Sequence, residues 1–306
     1  MLPATERPSV DAPEMSGCEP GSRSGSHAAT LRRVAALELG DGPFGEPLGA
    51  TPTVQWVSPT ELFVDETYQR NLSKRSIMLI RRIVGAWDWR RFKPPIVAQT
   101  DAGFEVIDGQ HTAIAAATHP NIDRLPVMVV NASERATRAG AFIGHNRDRI
   151  AITSTQMYFA ALTAGDEDAM TIEQVCQRAR VTVLKYPPPN GYFEPGQTVA
   201  VTAIARLVER RGAMRARQVL EVLTQADAAP VGAAGIRATE LLLFDGEFAG
   251  QIEPGEITMT LMALGESAEH EARLFAVTHK VPYWRALASV LFRRRRRAAA
   301  SKGRGE

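Results

Sequence analysis

The sequence predicts an α+β protein in which a small mixed α/β domain is followed by an all-helical domain, with disordered segments at both termini. Between Val54 and Val130, short runs rich in β-branched residues alternate with helical patterns. After Ile150 the spacing of the apolar residues becomes almost wholly helical. A chain of 306 residues, 44% of them hydrophobic, is sufficient for two such domains, each with its own core.

The predicted domain boundaries follow from composition. Residues 1–53 are rich in Pro, Gly, Ser and Ala and contain too few large apolar residues to offset the entropy of ordering, so we expect a disordered tail. Residues 54–150 form the α/β domain and residues 151–297 the helical domain. After a run of five arginines, residues 298–306 are predicted to be a basic, flexible tail.

The helices and strands of the α/β domain are predicted from the periodicity of the apolar residues and from capping residues. Strands are expected at Val54–Val57, Pro95–Ala98, Phe104–Ile107 and Pro126–Val130. A helix with apolar Ile77, Ile80 and Ile83 at helical spacing lies between the first two strands, with Asn71 or Ser73 as its N-cap. A second, Ala-rich helix is expected at Ala113–Thr118.

The helical domain is expected to contain eight helices. They are predicted at Ser154–Ala164, Glu167–Arg180, Val199–Arg211, Ala213–Gln225, Gly232–Phe244, Glu256–Leu264, Ser267–Thr278 and Pro282–Arg296. The segment Lys185–Gly191 contains three prolines and is interpreted as an exposed turn or hairpin.

Composition excludes several classes of protein. No apolar run approaches the roughly 18 residues of a membrane span, and the N-terminus lacks a charged-then-apolar export signal. Cys18 and Cys176 provide neither a disulfide framework nor the spacing of metal ligands, which fits a reducing compartment. We therefore expect a cytoplasmic protein without a metal site.

The most informative segment is a strand that ends at an Asp-Gly turn and continues into a helix. The first amides of that helix lack partners within the helix and carry the positive end of its dipole, so the turn suits an anion such as phosphate. The candidate phosphate ligands are Asp108, Gly109, Gln110, His111 and Thr112. Asp108 has a second interpretation, as an N-cap that accepts a hydrogen bond from the amide of His111.

The order of motifs resembles the ParB/sulfiredoxin-like superfamily, in particular the N-terminal domain of ParB proteins and their phage and plasmid relatives. The motifs are Val57–Pro59, Asp65–Arg70, Pro94–Val97, Ile107–Ala113, Leu125–Val127 and Gly144–Arg149, covering about a third of the chain. The resemblance implies a ParB-like domain at residues 54–150, a mobile-element or prophage origin, and a nucleoside triphosphate with magnesium as cofactor. It also adds Arg70, Asn146 and Arg149 to the candidate phosphate ligands.

The chain departs from the family at both phosphate motifs. ParB has Gly-Glu-Arg-Arg at the turn, whereas this sequence has Gly109, Gln110, His111 and Thr112. Two cations are lost, so a triphosphate would be neutralised by Arg70, Arg149 or a metal. The acid of the later Glu-Asn-x-x-Arg motif is His145 here, which argues against ParB-like CTP hydrolysis. Sulfiredoxin activity is excluded because Gln110 replaces its cysteine.

Two groups of basic residues are candidates for nucleic-acid binding. Arg81, Arg82, Arg90 and Arg91 lie near Trp87 and Trp89, and Arg293, Arg294 and Arg295 belong to the arginine run. The alternatives are a solvated helix face with the tryptophans in the core, and a frayed helix end. A sequence-specific helix-turn-helix at residues 171–181 is rejected, because its second helix would run into Pro187–Pro189.

Three functional hypotheses remain. The first is a ParB-like protein that binds a nucleotide and associates with DNA. The second is a phosphoryl-transfer enzyme or nuclease on the same fold, with His111 or His145 as general acid or base. The third is a noncatalytic scaffold whose helical half binds a protein. The assembly state is open, with a homodimer as one candidate.

Overall fold

A computed structural model describes residues 33–38, 40, 45–69 and 71–302, with only the backbone for residues 296–302. The chain divides into two compact units, Met1–Ala139 and Gly140–Glu306, each described here by itself. Most of the predicted N-terminal tail lies outside the described residues. Residues 33–38 and 45–52, which belong to it, are exposed and contain no helix or strand.

The first unit is built on a mixed five-stranded sheet, in which all four predicted strands are present. The strands are β1 (Thr53–Val57), β2 (Leu62–Phe63), β3 (Ile96–Thr100), β4 (Gly103–Asp108) and β5 (Leu125–Val130). Their order is β1-β5-β3-β4-β2. The pairs β1–β5 and β3–β4 are antiparallel, whereas β3–β5 and β2–β4 are parallel. The mixed α+β class predicted from the sequence is confirmed.

Three helices accompany the sheet: α1 (Lys74–Gly85), α2 (Gln110–Thr118) and α3 (Arg135–Arg147), the last of which crosses the boundary between the units. Ser73 is the N-cap of α1, and its hydroxyl accepts a hydrogen bond from the amide of Ser76. The core consists of β-branched and leucine side chains of the sheet packed on alanines of α2. Its fully buried members include Val97, Val106, Leu125 and Val127.

Helix α3 was not predicted from the sequence. Arg138 is its buried residue, and the helix has no apolar stripe at helical spacing. His145 and Asn146 therefore lie within a helix, whereas the sequence placed them at the transition from the sheet to the helical domain.

The second unit is mainly helical, as predicted. Its helices are α4 (Ser154–Thr163), α5 (Glu167–Arg178), α6 (Val201–Gln225), α7 (Ala233–Phe244), α8 (Pro254–Leu264), α9 (Glu266–His279) and α10 (Tyr283–Lys302). Two short strands, β6 (Thr182–Val183) and β7 (Gln197–Thr198), pair in parallel. The segment Lys185–Gly191 is a largely exposed loop between them, so the interpretation as a turn is correct and the hairpin alternative is wrong.

Gly212 divides α6 into the two helices that the sequence predicted. Its φ of 76° and ψ of 164° lie in a region that essentially only glycine adopts. No atom outside its own chain neighbourhood lies within 4 Å of where a Cβ would stand, so a substitution would meet backbone strain but no steric clash.

Gly212→Ala is expected to lower the free energy of unfolding by about 1–3 kcal/mol, because alanine is strained in this conformation. Urea denaturation of the full chain measures the change. Gly246→Ala is the matched control, since Gly246 also has open space at its Cβ but no positive φ. An equal change in the two variants would contradict a conformational role for Gly212.

Candidate functional site

The turn between β4 and α2 requires glycine at its centre. Gly109 has a φ of 93° and occupies the N-cap position of α2. A Cβ at Gly109 would stand 3.0 Å from Cα of Pro95, closer than backbone atoms normally allow. The left-handed conformation of Gly109 and its close approach to Pro95 together hold the first turn of α2 in place.

The first turn of α2 presents backbone donors. Among the described residues, none accepts a hydrogen bond from the amides of Gln110, His111 or Thr112, whereas the amide of Ala113 donates to the Gly109 carbonyl at 3.0 Å. No described residue pairs with the side chain of His111, which is half-buried. The turn therefore has the donors of an anion site.

Asp108 does not cap α2, so that interpretation of the sequence is wrong. Because Gly109 takes the N-cap position, the carboxylate of Asp108 lies one residue too early, and α2 has no side-chain cap. The Asp108 Oδ2 instead lies 3.6 Å from Nζ of Lys93. This ion pair links the end of β4 to the segment between α1 and β3.

A cavity of about 270 Å³ lies between the C-terminal end of α1, the segment that follows it, and the first turn of α2. It is lined by Arg82, Ile83, Ala86, Trp87, Asp88, Arg91, Phe92, Lys93 and Thr112. We call it the α2 cavity. The structure thus brings together two features that the sequence suggested separately, the basic and aromatic cluster and the Asp-Gly turn.

The lining of the α2 cavity carries more positive than negative charge, with three cations and one carboxylate. That carboxylate, Asp88, accepts hydrogen bonds from Nε and Nη2 of Arg90 at 2.9 and 3.0 Å. These bonds lower the pKa of Asp88. Arg91 lies 3.5 Å from Asp88. Arg82 makes no ion pair with any described residue and is exposed, so its charge is available to a ligand.

Aromatic rings form one side of the same region. The ring of Trp87 lies 5.4 Å from that of Trp89 in an edge-to-face arrangement, and 5.8 Å from the tilted ring of Phe92. Trp89 is 49% exposed. The tryptophans are only partly in the core, because Trp87 is half-buried and Trp89 reaches solvent. A role of the cluster in nucleic-acid binding stays a prediction.

The remaining predicted phosphate ligands lie elsewhere in the chain. Arg70 lies outside the described residues. Asn146 and Arg149 belong to the second unit, and the Asn146 Nδ2 donates to the Phe142 carbonyl at 2.8 Å. His145, the candidate general acid or base, also belongs to that unit. Arg149 is exposed in the segment after α3. Their convergence with the turn on one ligand stays a prediction, as do the catalytic roles of His111 and His145.

The arginine run makes contacts within the second unit. The guanidinium of Arg293 lies 4.6 Å above the ring of Phe275, and that of Arg295 lies 3.5 Å above Phe292. Arg294 donates two hydrogen bonds to Glu271. The helix continues to Lys302, into the segment that was predicted as a tail. Nucleic-acid binding by Arg294 would require it to leave Glu271, whereas an arginine stacked on an aromatic ring keeps its N–H edges for other partners.

Sequence reasoning missed a buried polar network in the first unit. The Tyr68 hydroxyl donates to Glu105 at 2.6 Å, and Nε of Arg138 lies 2.9 Å from the same carboxylate. Burial and the bond to Glu105 raise the pKa of Tyr68. The Gln69 Nε2 donates to the carbonyls of Val106 and Ile107. The network fixes the segment before α1 onto β4, the strand that leads into the turn.

A second ion pair lies at the start of the same segment. Asp65 accepts hydrogen bonds from Arg135 at 2.8 and 3.1 Å and from Thr67. The bonds from Arg135 lower the pKa of Asp65. Asp65 and Arg135 are far apart in sequence, so no local sequence pattern predicted that they would pair.

Two kinds of feature are absent from the described part of the chain. No helix there has the length and hydropathy that a membrane crossing requires. No group of three or more His, Cys, Asp or Glu side chains there is arranged to hold a metal ion.

Comparison with known proteins gives no family. No family model and no curated protein matches the chain. The C-terminally truncated chromosome-partitioning protein ParB of Caulobacter crescentus, complexed with CTP-gamma-S, is similar at a TM-score of 0.35 and 11% identity, over 57% of this chain and 98% of that one. A Pnob8-like ParB-N domain is similar at a TM-score of 0.27 and 12% identity, over 82% of this chain and 97% of that one. These scores are low, so the ParB-like assignment stays a prediction.

Proposed function

We propose that the protein binds a nucleoside phosphate in the α2 cavity and acts as a ParB-like protein associated with nucleic acid. One observation carries the proposal: helix-terminal amides, excess positive charge and aromatic rings adjoin a single cavity in the first unit. Each of these groups suits a different part of a nucleotide. The proposed origin in a mobile element or prophage rests on the sequence resemblance alone.

The phosphate end would be held by the first turn of α2. Unpaired amides and the helix dipole favour a negative charge there. Thr112 lines the cavity from this turn, and Lys93 lies on the same cavity with its side chain 68% exposed. Arg82 and Arg91 supply two further cations. These side chains take the place of the two arginines that ParB carries at the turn.

The base would stack on the aromatic side. Exposed tryptophan faces bind bases with little dependence on sequence, worth about 1–3 kcal/mol per base. A volume of about 270 Å³ is just below the range of roughly 300–1,000 Å³ for pockets that enclose a whole ligand. The cavity therefore suits a mononucleotide, part of which would stay exposed to solvent, better than a large cofactor.

A magnesium ion does not fit the carboxylates near the α2 cavity. Magnesium at a nucleotide takes one or two carboxylates in addition to the phosphates. Asp88 is already paired with Arg90 and Arg91, and Asp108 with Lys93. We therefore assign the neutralisation of the phosphates to the cations of the cavity.

Association with nucleic acid would use the exposed face of α1. Arg75, Arg81 and Arg82 are exposed on this helix, and Trp89 follows it. Arginines on a solvated surface bind phosphate backbones without reading sequence, and their affinity falls steeply with salt. Binding of this kind agrees with the absence of a standard helix-turn-helix pattern in the sequence.

Arg82→Gln is expected to weaken nucleotide binding about tenfold, because a charge-assisted contact to phosphate contributes roughly 1.5–3 kcal/mol. Thermal shift and calorimetry with each of the four ribonucleoside triphosphates, with and without magnesium, measure the binding. Arg81→Gln is the matched control, since Arg81 is the neighbouring exposed arginine of α1 but does not line the cavity.

The control should change the dissociation constant by less than about twofold. No thermal shift with any of the four nucleotides would overturn the proposed function. Equal weakening by the two substitutions would place the nucleotide outside the α2 cavity.

A further inference from the structure

The second unit contains a separate cavity of about 210 Å³ between α6, α7 and the start of α10. Its lining includes three arginines, two carboxylates and a tryptophan, namely Arg210, Arg211, Arg237, Glu240, Asp245 and Trp284. We call it the Glu240 cavity. None of these residues was singled out in the sequence.

Glu240 fixes two of the arginines. Its side chain is buried and accepts hydrogen bonds from Nε and Nη2 of Arg210 at 3.0 and 2.6 Å, and from Nε of Arg211 at 2.9 Å. Burial opposes ionisation of the carboxyl, but these hydrogen bonds outweigh it and lower the pKa of Glu240. With Asp245 also on the lining, the three guanidiniums exceed the two carboxylates by one positive charge.

Arg237 is fixed by an aromatic face. Its guanidinium lies 4.1 Å above the ring of Trp284 and makes no ion pair with any described residue. An arginine stacked in this way keeps its N–H edges free for in-plane hydrogen bonds.

We propose that the Glu240 cavity binds a phosphate group, a site independent of the α2 cavity. The three guanidiniums carry fifteen N–H donors in total, five each, and only three of these donate to Glu240. Phosphate can accept from three guanidiniums at once through its separate oxygens, whereas a carboxylate has only two oxygens. The small volume suits one such group, from either a free phosphorylated compound or a nucleic-acid strand.

Tryptophan resonances test the proposal on the full chain. The protein has four tryptophans, and Trp284→Phe assigns the indole N–H signal of Trp284. Titration with inorganic phosphate, at an ionic strength held constant with chloride, should shift that signal to saturation. Trp87 reports on the α2 cavity in the same spectra, so failure of one site is distinguishable from failure of the other.

Substitutions then locate the phosphate. Arg237→Gln should weaken binding at the Trp284 signal at least about tenfold, and Arg237→Lys should weaken it less, because the charge remains while the planar fork is lost. Arg178→Gln is the control, since it removes an exposed arginine of the same unit outside this cavity. Arg237 is exposed, so its replacement leaves the core intact.

A third arm distinguishes the sources of the phosphate. If a short single-stranded oligonucleotide has the lower dissociation constant at the Trp284 signal, the ligand is a nucleic-acid backbone. If inorganic phosphate has the lower dissociation constant, the ligand is a free phosphorylated compound. A Trp284 signal that does not saturate with either would overturn the proposal. Equal binding by the wild-type chain and Arg237→Gln would overturn it as well.

Discussion

Arg138→Leu is expected to lower the free energy of unfolding by about 3–5 kcal/mol, because it leaves Glu105 as an uncompensated buried charge. Arg138 is 8% and Glu105 9% exposed, and their Nε and Oε1 atoms lie 2.9 Å apart. Arg138 also donates to the carbonyls of Ala132 and Ser133, which would lose their partner. Urea denaturation followed by circular dichroism measures the loss.

Two comparisons isolate the buried charge as the cause. The double variant Arg138→Leu/Glu105→Gln removes the charge on both sides and should recover part of the loss. Arg135→Gln breaks the more exposed pair with Asp65 and should cost at most about 1 kcal/mol. A loss below about 1 kcal/mol for Arg138→Leu would contradict a structural role for the buried pair.

Gly109→Ala is expected to lower the free energy of unfolding by about 2–5 kcal/mol and to weaken nucleotide binding. The left-handed conformation costs a non-glycine residue about 1–2 kcal/mol. A Cβ at 3.0 Å from the Pro95 backbone adds roughly 1–3 kcal/mol of overpacking. Relief of the contact would move the first turn of α2, so binding should fall together with stability.

The control for this change is Gly140→Ala. Gly140 lies inside α3, has no positive φ, and has open space where a Cβ would stand. Alanine there should stabilise the protein by about 0.5–1 kcal/mol, since glycine is the poorer helix former. If Gly109→Ala were instead as well tolerated as Gly140→Ala, the turn would not depend on glycine.

Most of the helices and strands could be predicted from local sequence patterns. Four of the five strands of the first unit and the helices from Ser154 onward follow from the periodicity of apolar residues and from glycine and proline, whereas the two-residue strand β2 was not predicted. The break at Gly212 was predicted as the gap between two helices, and the turn at Asp108–Thr112 as a strand-to-helix junction. These features depend on neighbours in sequence, which one sequence displays directly.

Features that depend on distant residues were not predictable in this way. Helix α3 buries Arg138, a residue type that a pattern of apolar residues assigns to the surface. Two features of the site require the packing of α1 against α2. They are the ion pair between Lys93 and Asp108, and the position of both Arg82 and Thr112 on the lining of one cavity. Sequence reasoning therefore identified the parts of the α2 cavity and could not assemble them.

The position of β1 has a consequence for synthesis on the ribosome. Among the described residues this strand pairs only with β5, whose residues emerge after β2, β3 and β4 have already left the tunnel. Until Leu125–Val130 is available, the nascent β1 has no hydrogen-bonding neighbour, and it carries Val54 and Trp56, which stay exposed even in the finished sheet. Unpaired apolar strands are prone to association. We therefore expect the nascent chain to be prone to association during the interval before β5 appears.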